Sequence, residues 1–183
     1  AVAAFKRHVA EGLRSPAFLF ISLTDRCNLS CQGCWVTPAE PGRQLSGEEL
    51  DRIITEYKTQ NKSSFFGLLG GEPLLYPELM PILAAHPDVC FQILTNGTML
   101  TDQVAAEFRR LGNVTPLISV EGSPSISDVR RGSQNVYQRS MDAIDACRRQ
   151  KLITGVATSV CKSNIHDLAT ESFIGDLIAR GVH

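Results

Sequence analysis

Three thiols crowd into one loop of this chain: Cys27, Cys31 and Cys34, spaced C-x3-C-x2-C. Thiolates are soft donors suited to iron–sulfur clusters or to zinc. A cube of four irons takes four ligands, and this loop supplies three. One iron is left for a ligand from outside the protein, and an open position separates a reactive metal centre from a closed structural one. The competing reading is a structural zinc site completed by a distant histidine or cysteine. Such sites usually pair their ligands as two C-x2-C knuckles, and no second knuckle is present. A thioredoxin-type dithiol would use Cys31 and Cys34, with Cys27 as an interfering third thiol.

Further residues with chemistry follow in order along the chain. In Gly70-Gly71-Glu72-Pro73 the glycines let the backbone approach a small ligand closely, and Glu72 is an anion able to pair with an ammonium. Pro73 stiffens the turn. The plainer reading of this stretch is an ordinary strand-to-loop turn. Thr95-Asn96-Gly97-Thr98 contains a common turn dipeptide. Ser119 and Glu121 fall on the same side of a strand by its period of two. Arg131 could pair with a carboxylate, although base rates favour a surface arginine in a loop.

Together these residues resemble the radical S-adenosylmethionine superfamily. The likeness runs through Cys27, Cys31, Cys34 and Trp35, the GGEP motif at residues 70–73, and the TNG turn at residues 95–97. It continues through Ser119-Val120-Glu121-Gly122, Arg130-Arg131-Gly132 and Asn164, and covers most of the chain from about Phe18 onward. The resemblance implies a [4Fe–4S] cluster on the three cysteines, with S-adenosylmethionine chelating the open iron. Its cofactor contacts would be Gly70, Gly71, Glu72, Pro73, Thr95, Asn96, Ser119, Glu121 and Arg131, with Ser119 and Glu121 reaching ribose hydroxyls or the amino acid end. It further implies reductive cleavage to a 5′-deoxyadenosyl radical that abstracts hydrogen from a small-molecule or peptide substrate, and an electron donor such as a flavodoxin or ferredoxin. Two residues depart from the family pattern: Gly33 stands where many members carry a bulky residue, and Glu121 replaces the commoner Asp. A non-catalytic iron–sulfur or zinc module, acting in structure or redox sensing, is the alternative.

The elements that must position these residues alternate strand with helix. Apolar runs predict strands at residues 18–23, 65–69, 89–94, 117–120 and 155–160. Ser46 and Glu49 form a capping-box pattern before a helix whose apolar face carries Leu50, Ile53, Ile54 and Tyr57. Further helices are expected at 77–85, 101–111 with Gly112 as its stop, 134–150 and 169–180. Near-continuous apolar strands alternating with amphipathic helices imply a parallel α/β sheet. Each motif follows a strand, and ligands bind at the C-terminal ends of strands in such folds. The resulting expectation is a partial (β/α)6 TIM-like barrel, cut after its fifth βα unit, with residues 1–17 as a helical lead-in and 18–183 as the core domain.

Composition sets the outer bounds. The chain has 183 residues, enough for one core and hardly enough for two. Eighteen basic residues against nineteen acidic ones give a net charge of −1, so a nucleic-acid partner is not expected. No apolar run suggests a membrane span, and clustered thiols suit a reducing, cytoplasmic setting better than a disulfide framework. Cys90 and Cys147 read as buried structural thiols, Cys161 as a strand-end thiol near the rim, and Trp35 as packing that also shields the cysteines.

Overall fold

The computed structural model describes residues 2–12, 16, 18–36 and 42–183. Of the expected lead-in, Val2–Ala10 forms helix α1, while residues 1, 13–15 and 17 lie outside the described residues. So does part of the connector after the cysteines, at 37–41. The remainder alternates as expected. Strand β1 (Leu19–Ser22) leads through the cysteine loop to α2 (Gly47–Asn61), and β2 (Phe65–Leu69) leads through a 3-10 turn (Pro73–Leu75) to α3 (Leu79–Ala85). Then come β3 (Cys90–Thr95), α4 (Asp102–Leu111), β4 (Val114–Ser119), α5 (Pro124–Arg131) and α6 (Val136–Arg149). The last described unit is β5 (Gly155–Ala157), α7 (Ile165–Leu168) and α8 (Glu171–Ala179).

All strands pair in parallel, in the order β1-β2-β3-β4-β5. Each strand lies beside its successor, so the order never reverses as it does at the switch point of a doubly wound sheet. Right-handed crossovers of one kind then place the helices on a single face, the arrangement of a barrel wall. Ile21, Phe66, Leu68, Phe91, Ile93 and Ile118 form the core with Leu50, Ile54, Phe108, Met141 and Ile144 from the helices. Full burial of each such side chain contributes roughly 1.5–3 kcal/mol.

The strands were expected to be buried on both faces. Instead β3 and β4 alternate: Phe91, Ile93, Val114 and Ile118 are buried, while Gln92, Leu94, Leu117 and Ser119 are half-buried. One-sided helix cover is the reason, and it leaves the other face free to carry a site. The capping box holds as read, with Ser46 Oγ accepting from Glu49 N at 3.1 Å and Glu49 Oε2 accepting from Ser46 N at 2.7 Å. Gly112 ends α4 in the left-handed region at φ 75°.

Two strand boundaries differ from expectation by three residues. β4 begins at Val114, before Pro116, because β5 pairs only from Leu117 onward and the missing N–H breaks no rung on that side. β5 ends at Ala157 because Thr158 turns away to donate its hydroxyl to Val120 O at 2.7 Å. Helix α5 was not expected at all.

Candidate functional site

The chain leaving β1 runs beside the loop leaving β2. Leu23 N donates to Leu69 O at 2.8 Å, Gly71 N to Thr24 O at 2.7 Å, and Glu72 N to Arg26 O at 2.8 Å. The two glycines are what this approach requires. A Cβ on Gly70 would stand 2.4 Å from Thr24 O, and one on Gly71 would stand 2.1 Å from Arg26 O. Gly70 also sits at φ 148°. The glycine pair therefore seats the root of the cysteine loop, and both residues border the cavity beyond it.

Glu72 lies just behind the cavity. It has no exposed surface, and neither it nor the buried Pro73 lines the cavity. Its Oε1 accepts from Leu74 N at 3.1 Å and Thr95 Oγ1 at 2.7 Å, and its Oε2 accepts from Asn96 N at 2.8 Å. Burial pushes the carboxyl above its ordinary value, against the pull of these donors. Glu72 thus staples the GGEP turn to the TNG turn, and Pro73 opens the short 3-10 turn.

The TNG turn in turn grips the cysteine loop. Asn96 Nδ2 donates to Asn28 Oδ1 at 2.9 Å, and Asn28 Nδ2 donates to Thr98 Oγ1 at 2.8 Å. Thr98 closes the ring by donating to Asn96 Oδ1 at 2.6 Å. Asn28 is adjacent to Cys27 and was missed in the sequence, since its partners lie 68 and 70 residues away.

At the far side of the loop, Gln32 N donates to Arg130 O at 2.8 Å. Ser30 O lies so near Gly132 that a Cβ there would come within 2.4 Å of it. Between these anchors Cys27 and Cys31 are half-buried and Cys34 is exposed. Burial pushes the Cys27 thiol up, opposed by the backbone amide of Leu29.

All three cysteines border one cavity of about 310 Å³ at the C-terminal ends of the strands. Of the other predicted contacts, Gly70, Gly71, Thr95, Asn96, Ser119, Glu121 and Arg131 border it too. Arg131 is not a surface loop residue: it ends helix α5, and its side chain is 14% exposed. Its Nη2 donates to Glu121 Oε1 at 2.6 Å, and its Nη1 reaches Cys31 Sγ at 3.7 Å. Its buried Nε has no partner among the described residues. Arg130 Nε donates to Glu121 Oε2 at 3.4 Å. The two guanidiniums thus hold both oxygens of Glu121, and Arg131 also lies near the buried Glu72.

Sequence reasoning missed helix α5, and it singled out Arg130 only as a member of the Arg130-Arg131-Gly132 motif, with no role of its own. The signal was there in Ser123-Pro124, a cap position followed by proline at the first helical position. Asn164 was legible by resemblance, and its Nδ2 donates to Glu121 O at 3.0 Å and Ser159 O at 3.1 Å. Cys147 is buried as expected, whereas Cys90 is exposed on the half-open sheet face. Trp35 is 70% exposed and borders the cavity instead of packing in the core.

Among the described residues, no three His, Cys, Asp or Glu side chains converge closely enough to hold a single metal ion. Thiols set apart around a cavity suit a multi-iron cluster, which takes one thiolate at each of several irons. The Arg131 guanidinium beside Cys31 suits the charge of such a cluster and its thiolates. The donor set therefore fits an iron–sulfur cluster better than a zinc ion.

Residues 21–171 match the Radical SAM superfamily. The chain is 28% identical over 164 residues to the AdoMet-dependent heme synthase of Methanosarcina barkeri, covering 87% of this chain and 46% of that one. It is 27% identical over 168 residues to the sporulation killing factor maturation protein SkfB of Bacillus subtilis, covering 88% and 40%. Streptococcus suis SuiB bound to its precursor peptide SuiA shares the fold, with a TM-score of 0.77 at 19% identity over 97% of this chain and 41% of that one. The chain thus spans less than half the length of these relatives.

Proposed function

Because the chain belongs to the radical SAM superfamily, we propose that it holds a [4Fe–4S] cluster on Cys27, Cys31 and Cys34 and binds S-adenosylmethionine in the adjoining cavity. The observation that carries this reading is the shared border: three cysteines, the Gly70-Gly71 pair, Ser119, Glu121 and Arg131 meet around one space. When bound, the cluster and cofactor supply one-electron cleavage of the sulfonium's S–C5′ bond and hydrogen abstraction from a substrate. The chain's own residues bind and orient. Gly70 and Gly71 present backbone to the cofactor's amino acid end, and Arg131 offers a guanidinium to its carboxylate. Ser119 and Glu121 face the ribose, and Glu72 fixes both turns from behind.

The substrate is a small molecule or a peptide. A tetrapyrrole enzyme and a peptide-maturation protein stand at similar identity among the relatives, so neither class is favoured. A flavodoxin- or ferredoxin-type protein supplies the electron. All six thiols are free, which supports a reducing, cytoplasmic setting. Among the described residues no helix is long and apolar enough to cross a membrane.

The test is anaerobic reconstitution with iron and sulfide, then dithionite reduction with S-adenosylmethionine and chromatography for 5′-deoxyadenosine. The expected result is 5′-deoxyadenosine from the native chain and none from Cys31→Ala. Failure of the native chain to take up iron would overturn the reading.

A further inference from the structure

Helix α5 ends where three segments from distant parts of the chain meet, and Arg130 touches all of them. Its backbone oxygen accepts from Gln32 N of the cysteine loop at 2.8 Å. Its Nε donates to Glu121 Oε2 beyond β4 at 3.4 Å. Its Nη1 donates to Cys161 Sγ at 2.8 Å and Ser163 Oγ at 3.3 Å, and its Nη2 donates to Ser159 O at 3.5 Å, all beyond β5. The side chain is 16% exposed, and every guanidinium nitrogen already has a protein acceptor. Arg131 is as buried, at 14% exposed, but it reaches Cys31 and its Nε has no partner among the described residues.

We propose that Arg130 is a positioning residue that locks the Glu121 carboxylate and the segment after β5 to the cysteine loop, giving the cavity the shape that takes S-adenosylmethionine. The proposal rests on the cofactor assignment above. A buried carboxylate keeps one orientation only when both oxygens are held. Arg131 holds Oε1, while Arg130 and Ser159 N, at 3.3 Å, hold Oε2. Without Arg130, Oε2 keeps the Ser159 amide alone, and the β5 segment loses its tie to α5 through Cys161 and Ser163. Lysine would keep the charge, but a single nitrogen cannot fork between Glu121 on one side and Ser159 and Cys161 on the other. Spanning three segments, and not bearing charge, is the property that makes arginine necessary here.

The experiment compares the reconstituted native chain with Arg130→Lys and Arg130→Gln, using equilibrium dialysis of S-adenosylmethionine and iodoacetamide labelling of Cys161 between about pH 6 and pH 10. Arg130→Lys should weaken cofactor binding about tenfold while cluster absorbance is retained. Cys161 labelling should shift to higher pH while the buried Cys147 stays unlabelled until denaturant is added, a protection that general loosening of the fold would remove. Arg130→Gln should lose at least as much affinity. Native affinity in either folded variant overturns the proposal and leaves the cofactor assignment standing. No cofactor binding by the native, cluster-loaded chain overturns the assignment, and the proposal with it. If one variant fails to fold, the other decides.

Discussion

Glu72 and Cys161 show how far a residue's type underdetermines its work. An acid beside two glycines reads as a ligand contact, yet Glu72 spends both oxygens on Leu74, Thr95 and Asn96. Thr95 is 23 residues distant, and no local pattern reveals that the two turns are stapled together. Glu72→Gln keeps the shape but turns an amide N–H toward a backbone N–H. It should cost about 1–3 kcal/mol in a denaturant titration. Burial raises the native pKa of Glu72, so the folded chain holds that proton more tightly than the unfolded one. The contribution of Glu72 is therefore largest in acid and declines as pH rises through the native value, a slope that the Gln variant should lack. Cys161 is tuned the other way. The Ser163 hydrogen bond, with Arg130 nearby, holds its thiol below the ordinary value, whereas burial pushes Cys147 up to about 11. Iodoacetamide should label Cys161 in the native chain at lower pH than an ordinary thiol and spare Cys147 until denaturant is added, with peptide mass spectrometry as the readout.

At the scale of elements, much was legible because the signals are local. The capping box before α2 and the glycine after α4 announce themselves within a few residues, and both stand where expected. Ser46→Ala removes the acceptor for Glu49 N and should cost about 1 kcal/mol by thermal unfolding while leaving cofactor binding unchanged, since α2 contributes nothing to the cavity. The cap holds the Glu49 carboxyl below its usual value, so this stabilisation is present above the ordinary carboxylate range and disappears as the pH falls through the native pKa. Other elements were hidden for physical reasons. Pro116 argues against a strand, and only the short reach of β5 makes it harmless. The apolar run after Ala157 argues for more strand, but Thr158 and Ser159 turn aside to bond with Val120 and Glu121. Both departures lie next to the cavity. Of the site itself, the cysteines, the glycine pair, Ser119, Glu121 and Arg131 were visible as motifs. The anchor Asn28 was not, and Arg130 showed only as part of its motif and without a role, because the main work of each is done on other loops.

Taken whole, the molecule is a sheet with helices on one face and chemistry along one edge. No single element owns the cavity; loops after each of the five strands contribute to its border. Binding of cofactor to the reconstituted chain should therefore slow amide exchange together in the cysteine loop, at residues 70–72, at 119–121 and at 157–161. Protection confined to the cysteine loop would mean that the other segments do not share the ligand.

The neighbour-to-neighbour strand order carries a consequence for the birth of the protein. A sheet in which each strand pairs with the next can be laid down from the N-terminus as the chain emerges from the ribosome. The cysteines emerge early, whereas Ser159 and Cys161 belong to the last described strand unit. Until that unit docks, Glu121 lacks the Ser159 amide, Arg130 lacks its sulfur and serine partners, and the cysteine loop hangs on a half-built frame. Iron arriving too soon would meet exposed thiols with no shaped chamber behind them. The topology thus places assembly of the pocket after the emergence of β5, so the wall from β1 to β5 is complete before the cysteine loop is fully framed.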